Sequence, residues 1–143
     1  MAGEDVVGDL VHGMSDSSAD VRNNAMRALA VFAHVAPTSG RPIVRVPYEP
    51  FIELLHSPVW TDRNKASLAL MALSGRRDPK LLEQLQREAM APLIEMAHWK
   101  SDGHAMPALM ILGRIGGQSE DAIQAAWTRG ERESIINAAL KRQ

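Results

Sequence analysis

A short string of small and large apolar residues recurs three times along this chain of 143 residues. The string Ala-x-x-Ala-Leu-x-x-Phe/Leu begins at Ala25, Ala66 and Ala105, so that successive copies lie 41 and 39 residues apart. A period near 40 residues is typical of proteins built from stacked pairs of helices. The spacing therefore predicts an all-α chain in which each repeat packs against the next.

A second block of sequence precedes each copy of this string. The segment PFIELLH at 50–56 aligns without gaps to PLIEMAH at 92–98, and more weakly to VVGDLVH at 6–12. Since the distance between the two blocks varies, the length changes fall in the turn between two helices, where insertions are tolerated. We therefore predict a single domain, residues 1–143, made of helical repeat units at about 4–36, 48–76 and 78–117 and a shorter one at 118–143.

Prolines, glycines and capping residues determine the predicted helix ends. Pro107 lies inside the seventh predicted helix, which predicts either a delayed start or a kinked first turn. The segment 37–50 holds four prolines and Gly40, and is predicted to be an ordered, extended loop. The predicted helices cover about 4–13, 19–35, 50–56, 62–73, 79–88, 90–98, 102–116, 119–130 and 131–142.

The repeated string also explains why such helices must stack. Positions 25, 28, 29 and 32 lie within one narrow arc of a helix, and the corresponding positions of the other two units do the same. The Ala residues let neighbouring backbones approach, while each Leu or Phe contributes roughly 1.5–3 kcal/mol when it is buried. One helix alone leaves this stripe in water, so the stability is expected to come from the stack.

Charge and composition exclude several classes of protein. The net charge is -1, and only residues 41–80 are mildly basic, with seven basic and four acidic side chains. Nucleic-acid binding is disfavoured, because it usually needs a concentrated, strongly basic surface. The chain has no cysteine, no apolar run near the roughly 20 residues that span a bilayer, and no signal-peptide profile. We therefore expect a cytoplasmic protein without membrane contact.

The stretch FIELLHSPVWTDRNKASLALMALSG, residues 51–75, resembles an armadillo or HEAT repeat. In these families a first helix leads through a short polar turn to a Val-Arg or similar step and an Ala-Leu-rich inner helix, and the pairs at 21–22 and 62–63 match that step. The resemblance covers about residues 5–142, although unit two has the Pro-rich loop instead of a leading helix and Asp-Gly at 102–103 replaces the Arg step. It implies a right-handed α-α superhelix of about three and a half to four repeats.

The resemblance further implies a binding face, because the inner helices of such arrays line a concave surface that holds an extended peptide or another domain. A second stripe lies beside the buried one on these helices. Its mixed apolar and basic character favours an amphipathic or acidic partner segment, and the Trp and Asn ladder of armadillo nuclear-import receptors is missing, so nuclear-signal recognition is not supported. The alternative is that Val31, Leu68 and Ile111 only pack against neighbouring helices. The members of this recognition stripe are Asn24, Arg27, Val31, Lys65, Leu68, Ala72, His104, Pro107 and Ile111.

Three acid and His pairs recur in the first helices of the units. The members of each pair share a helix face at i and i+3, and His with carboxylate is a common transition-metal combination. Iron hydroxylases with HEAT-like repeats bind metal through adjacent His-Glu motifs, which this chain lacks. We therefore interpret the pairs as solvated groups and expect no metal and no cofactor. The pairs are Asp9 with His12, Glu53 with His56, and Glu95 with His98.

Two hypotheses for the function follow. The first is a non-enzymatic scaffold, expected to be a monomer, that binds a peptide segment or a partner domain on the concave face of the inner helices. The alternative is an enzyme or enzyme auxiliary on a HEAT-like scaffold, such as a metal-dependent hydroxylase, a tetrapyrrole lyase subunit or a DNA glycosylase. The first is preferred because the sequence contains no phosphate-binding Gly-rich loop, nucleophile elbow or His-Glu-x-x-His motif.

Overall fold

The computed structural model of this protein describes residues 2–33 and 45–142. Within these two ranges the regular structure is helical, and no strand occurs. The helices are α1 (Ala2–Gly13), α2 (Ala19–Ala33), α3 (Glu49–Leu55), α4 (Trp60–Leu73), α5 (Pro79–Glu88), α6 (Met90–Ala97), α7 (Asp102–Ile115), α8 (Glu120–Thr128) and α9 (Arg132–Leu140). A short 3-10 turn, Ser74–Arg76, follows α4. The prediction of an all-α chain is confirmed.

The helix ends agree with the local signals in the sequence. Asp78 accepts a hydrogen bond from the backbone N–H of Lys80 and Ser119 accepts one from that of Ala122, so both residues cap the helices that follow them. The delayed start that Pro107 suggested for α7 is wrong, because the helix begins at Asp102 and holds Pro107 inside it. Most of the predicted loop 37–50 lies outside the described residues, which resume at residue 45 and show irregular backbone up to residue 48.

The chain divides into two compact units, residues 1–73 and 74–143, and each is described by itself. The predicted single domain with four repeat units remains a prediction. In the N-terminal unit, α4 packs against both α2 and α3, and α1 packs against α2. Leu29, Phe51, Leu55 and Leu70 are fully buried and form the core around α4. Burial of such side chains, at roughly 1.5–3 kcal/mol each, is what holds the four helices together.

A buried ion pair links α2 to α4 in the N-terminal unit. The Arg22 Nε donates to both oxygens of Asp62, at 3.0 and 3.2 Å, and the Ser57 hydroxyl donates to Asp62 Oδ2 at 2.8 Å. The Arg22 Nη1 also donates to the backbone carbonyls of Asp16 and Ser17 in the turn before α2. Asp62 is 1% exposed, so its charge depends on these partners for the stabilisation that water would otherwise supply.

In the C-terminal unit, α7 is the central helix and contacts α5, α6, α8 and α9. Two glycines, one inside α7 and one directly after it, allow neighbouring helices to approach α7 closely. A Cβ added to Gly113 would lie 2.4 Å from the Ile123 side chain on α8, and one added to Gly116 would lie 2.9 Å from the backbone carbon of Ala138 on α9. The lack of a side chain at these positions therefore determines how near α8 and α9 come to α7.

A second buried cation lies at the end of α7. Arg114 is 8% exposed; its Nε donates to Glu120 Oε1 at 2.8 Å and its Nη1 to the Ser74 hydroxyl at 2.9 Å. Arg77 also pairs with Glu120, at 3.3 Å. The hydrogen bond from Arg114 is the main reason that the pKa of Glu120 is lowered from its ordinary value of 4.5, against the opposing effect of partial burial.

We expect Glu120→Gln to lower the free energy of unfolding by about 1 kcal/mol at neutral pH, because Glu120 is half-exposed and solvent screens the pair. A carboxylate whose pKa is lowered on folding stabilises the protein above its unfolded-state pKa, and that contribution is lost as the pH falls through the folded-state value. The difference between wild type and variant should therefore shrink below pH 4.5. Urea unfolding of both proteins at a series of pH values measures this difference in the free energy of unfolding.

The control for this prediction is Glu131→Gln. The pKa of Glu131 is also lowered, by Arg129, but that pair is exposed to solvent, so the substitution should leave the urea midpoint unchanged at every pH. An equal effect of both substitutions, or a Glu120→Gln effect that persists in acid, would contradict the view that the pairing of Glu120 with Arg114 stabilises the protein.

Equivalent positions of the three predicted repeats are buried to a similar degree. Ala28 departs from this pattern, since it is half-buried where Ala69 and Ala108 are buried. The first Ala and the Leu of the repeated string are buried in every copy: Ala25, Leu29, Ala66, Leu70, Ala105 and Leu109.

None of the helices in the described part of the chain combines the length and the apolar character needed to cross a bilayer.

Candidate functional site

The recognition stripe is exposed on α2. Asn24, Arg27 and Val31 all lie on the outer side of this helix, opposite the buried Leu29. Val31 is 65% exposed, which is the largest exposure of any large apolar side chain in the described residues. The alternative that Val31 only packs against neighbouring helices is therefore wrong.

On α4 the stripe reaches solvent within a stretch of the helix that is otherwise mostly buried. Of the residues from Asp62 to Leu70, six are buried, and Leu68 alone is exposed, at 36%. Lys65 and Ala72, one turn to either side, are half-buried. A helix buried on most of its circumference presents few groups to a partner, so Leu68 is the most accessible contact within this stretch.

The stripe does not continue to the surface on α7. Pro107 and Ile111 are buried, Ile111 completely, and only His104 remains half-exposed. The prediction that Pro107 and Ile111 contribute to an accessible binding face is corrected here: α7 is the central helix of its unit, and its neighbours cover these positions. The uninterrupted apolar run AMPALMILG at 105–113 was the available signal, since a helix that is apolar all round is typically buried.

The exposed stripes of α2 and α4 meet in a groove of the N-terminal unit. The groove has a volume of about 220 Å³. Three predicted residues, Arg27, Lys65 and Leu68, contribute to it. The others were missed because they lie on or beside the buried faces of their helices, where Met26 and Ala69 are almost fully buried. We call this site the α2/α4 groove. It is lined by Met26, Arg27, Ala30, Lys65, Leu68, Ala69 and Met71.

The α2/α4 groove has an apolar floor and two cations on its walls. Met26 and Ala69 are almost fully buried and form the deepest part, while Leu68 stands at the rim. Arg27 comes from α2 and Lys65 from α4, and no acidic side chain is among the described residues that line the groove. Such a surface suits a ligand that has one apolar group and negative charge beside it.

Another depression of the surface, in the C-terminal unit, is larger but chemically different. It measures about 520 Å³ and is lined by Glu83, Gln86, Arg87 and Arg142. All four side chains are polar, so they offer no apolar floor to anchor a partner. Because binding sites combine apolar burial with a few polar groups, this depression is a weaker candidate than the α2/α4 groove.

The acid and His pairs are spread over the surface. Asp9, His12, Glu53, His56, Glu95 and His98 are all exposed. His98 Nε2 lies 2.5 Å from a carboxylate oxygen of Glu133 on α9, a partner that the sequence did not indicate. Among the side chains described, no group of three His, Asp or Glu residues lies close enough together to hold a metal ion.

No model of a known protein family matches this chain. No curated protein sequence matches it either. The α2/α4 groove is therefore the feature of this protein from which a function can be inferred.

Proposed function

We propose that this chain is an armadillo/HEAT-like protein-interaction module, without enzymatic activity, that binds a peptide segment or a partner domain on the face formed by α2 and α4. The observation that carries the proposal is the position of the α2/α4 groove. The residues that a repeat protein would use for recognition, Arg27, Lys65 and Leu68, line it. A right-handed superhelix of helix pairs is the arrangement that we propose for the repeats.

The repeated burial pattern supports the assignment to this class. In the N-terminal unit, α1 with α2 and α3 with α4 form two packed helix pairs, and α2 packs directly against α4. The equivalent residues Ala25 and Ala66, and Leu29 and Leu70, are all buried. Because helical repeats bury their inner helices side by side, this is the packing expected of two consecutive repeats.

The size of the α2/α4 groove favours a peptide side chain over a small molecule. Pockets for drug-sized ligands measure about 300–1,000 Å³, and the volume here is about 220 Å³. A cavity of about 150 Å³ is enough to hold a benzene molecule, so the groove can accept one or two side chains of a partner. The stripe residues beyond the groove, Asn24, Val31 and Ala72, extend the surface toward the roughly 800 Å² per partner that a stable interface buries.

The groove contributes a modest part of the binding free energy, and this part comes from a single anchor side chain of the partner. Burying one Leu- or Met-sized anchor contributes roughly 1.5–3 kcal/mol, and such anchors dominate binding when they lie in a well-packed pocket. Leu68 and Met26 supply the apolar contacts, since one forms the rim and the other the floor. Replacing Leu68 by a carboxylate-bearing side chain should therefore remove most of the affinity.

We expect Leu68→Asp to weaken the binding of selected peptides at least tenfold, because a carboxylate at the rim must lose its water when the anchor enters. The peptides are obtained by selecting a library of random linear peptides on the wild-type chain, and dissociation constants are then measured by fluorescence anisotropy. Since Leu68 is already in contact with water, circular dichroism should show an unchanged helix content.

Leu140→Asp is the matched control, because Leu140 is another partly exposed leucine, at 41%, and lies on α9 outside the groove. It should bind the selected peptides as the wild type does. Failure to select any peptide on the wild-type chain, or equal binding by the Leu68→Asp variant, would reject the α2/α4 groove as the docking site.

A further inference from the structure

The two cations of the α2/α4 groove are the starting point for a more specific inference. Neither Arg27 nor Lys65 forms an ion pair or hydrogen bond with any residue whose side chain the structure describes. Six other arginines of the chain differ from Arg27, since each pairs with a neighbouring carboxylate. Those paired arginines are Arg22, Arg77, Arg87, Arg114, Arg129 and Arg132.

The surroundings of these cations strengthen their effect on a ligand. Lys65 is half-buried beside the apolar floor, where the effective dielectric constant is lower than in bulk water and an opposite charge is attracted more strongly. The nearest acidic position on the outer side of α2 is Asp20, seven residues before Arg27, or about 10 Å along the helix. Asp62, three residues before Lys65 on α4, is buried and paired with Arg22. The positive charge is therefore not compensated by any acidic side chain among the described residues that line the groove.

We infer that the occupant of the α2/α4 groove is an acidic peptide segment, in which an apolar side chain fills the groove and carboxylates on either side of it pair with Arg27 and Lys65. This inference rests on the proposed function and specifies the chemistry of the partner. Packed helices lie about 8–10 Å apart, and a peptide in extended conformation rises about 3.3 Å per residue. The two carboxylates therefore lie a few residues apart, on either side of the apolar residue. Because side chains of an extended peptide alternate between its two faces, they occupy positions that share the face of that apolar residue.

Charge complementarity of this kind determines which partners bind and how fast they do so. An Arg on one wall can form a bidentate pair with a carboxylate, while the ammonium of a Lys on the other wall acts as a point charge. A basic segment of the same apolar character is repelled by both groups. Binding should consequently weaken as the salt concentration rises, because the ion pairs lie at a partly exposed rim.

The test compares peptide selection on three forms of the full chain, starting from one library of random linear peptides. The wild type should enrich peptides rich in Asp and Glu around one apolar residue. The charge-reversal variant Arg27→Glu with Lys65→Glu should enrich basic peptides in their place. The control variant Arg76→Glu with Lys80→Glu has the same net charge as that variant and changes exposed residues outside the groove, so it should enrich the same acidic peptides as the wild type.

Synthetic peptides then give the size of the effect. Replacing the two flanking Glu residues of a selected peptide by Gln should weaken its binding to the wild type about tenfold, and should leave its weak binding to the charge-reversal variant unchanged or improved. Uncharged peptides that bind the wild type well and are lost on Leu68→Asp would overturn the acidic partner while the proposed function stands. The absence of any enriched peptide would overturn both.

Discussion

Replacing Asp62 with alanine is expected to lower the free energy of unfolding by about 3 kcal/mol, because the substitution leaves a largely buried guanidinium without its counter-charge. Arg22 and Asp62 have side-chain exposures of 13% and 2%, and Arg22 Nη2 lies 3.0 Å from Asp62 Oδ2. This loss of stability lies at the lower end of what is typical when one partner of a buried ion pair is removed. The reason is that Arg22 keeps its hydrogen bonds to the carbonyls of Asp16 and Ser17. Urea unfolding at neutral pH gives the change.

Asp20→Ala is the control for this prediction. Asp20 is an exposed acid in the first turn of α2, so its removal should change the stability by less than about 0.5 kcal/mol. The double variant Arg22→Ala with Asp62→Ala should lose less than the sum of the two single variants, because the second substitution removes a charge that is already unpaired. Additive losses would mean that the two side chains do not stabilise each other.

Gly116→Ala is the second substitution with a large expected effect, a loss of about 3 kcal/mol in the free energy of unfolding. The added Cβ would lie 2.9 Å from the carbonyl carbon of Ala138 and 3.0 Å from the backbone nitrogen of Ala139. Backbone atoms inside a helix cannot move aside as the end of a flexible side chain can, so α9 as a whole would have to shift away from α7. Thermal and urea unfolding of the variant measure the loss.

Gly103→Ala provides the comparison at the other end of α7. A Cβ at Gly103 would meet no atom within 4 Å, and alanine is the better helix former by up to about 1 kcal/mol. This variant should therefore be as stable as the wild type or slightly more stable. Equal behaviour of the two variants would show that the close approach of α7 and α9 does not limit the packing of the C-terminal unit.

The approximate positions of the helices could be predicted from the sequence, although several of their ends differ. Pro79–Glu88 is the clearest case, because Asp78 caps the start and the predicted and observed bounds of the helix coincide. Caps, prolines and glycines act through atoms that lie within a turn of each other, so no knowledge of distant residues is needed. The outer position of Arg27 and Leu68 could also be predicted, since it follows from the angular distance to the buried Ala and Leu residues of the same helix.

The pairing of Arg22 with Asp62 could not be predicted in the same way. The two residues are 40 positions apart, and the local sequence predicts only a helix start at Asp62, whereas α4 begins at Trp60 and the Asp62 carboxylate is directed toward α2. The residues Met26 and Met71 of the α2/α4 groove were missed for a related reason. Whether a side chain at the edge of a buried face reaches solvent depends on the angle between two helices, and that angle is set by packing.

The helical class of this protein, the approximate positions of its helices and the outward side of α2 and α4 all follow from its amino-acid sequence. The apolar run at 105–113 indicates that α7 is buried, but only the packing shows that α5, α6, α8 and α9 enclose it and cover Pro107 and Ile111. Packing also brings Arg27 and Lys65 into one groove. The physical reason is that periodicity specifies the faces of a helix through local geometry, whereas burial depends on how many neighbours cover each face.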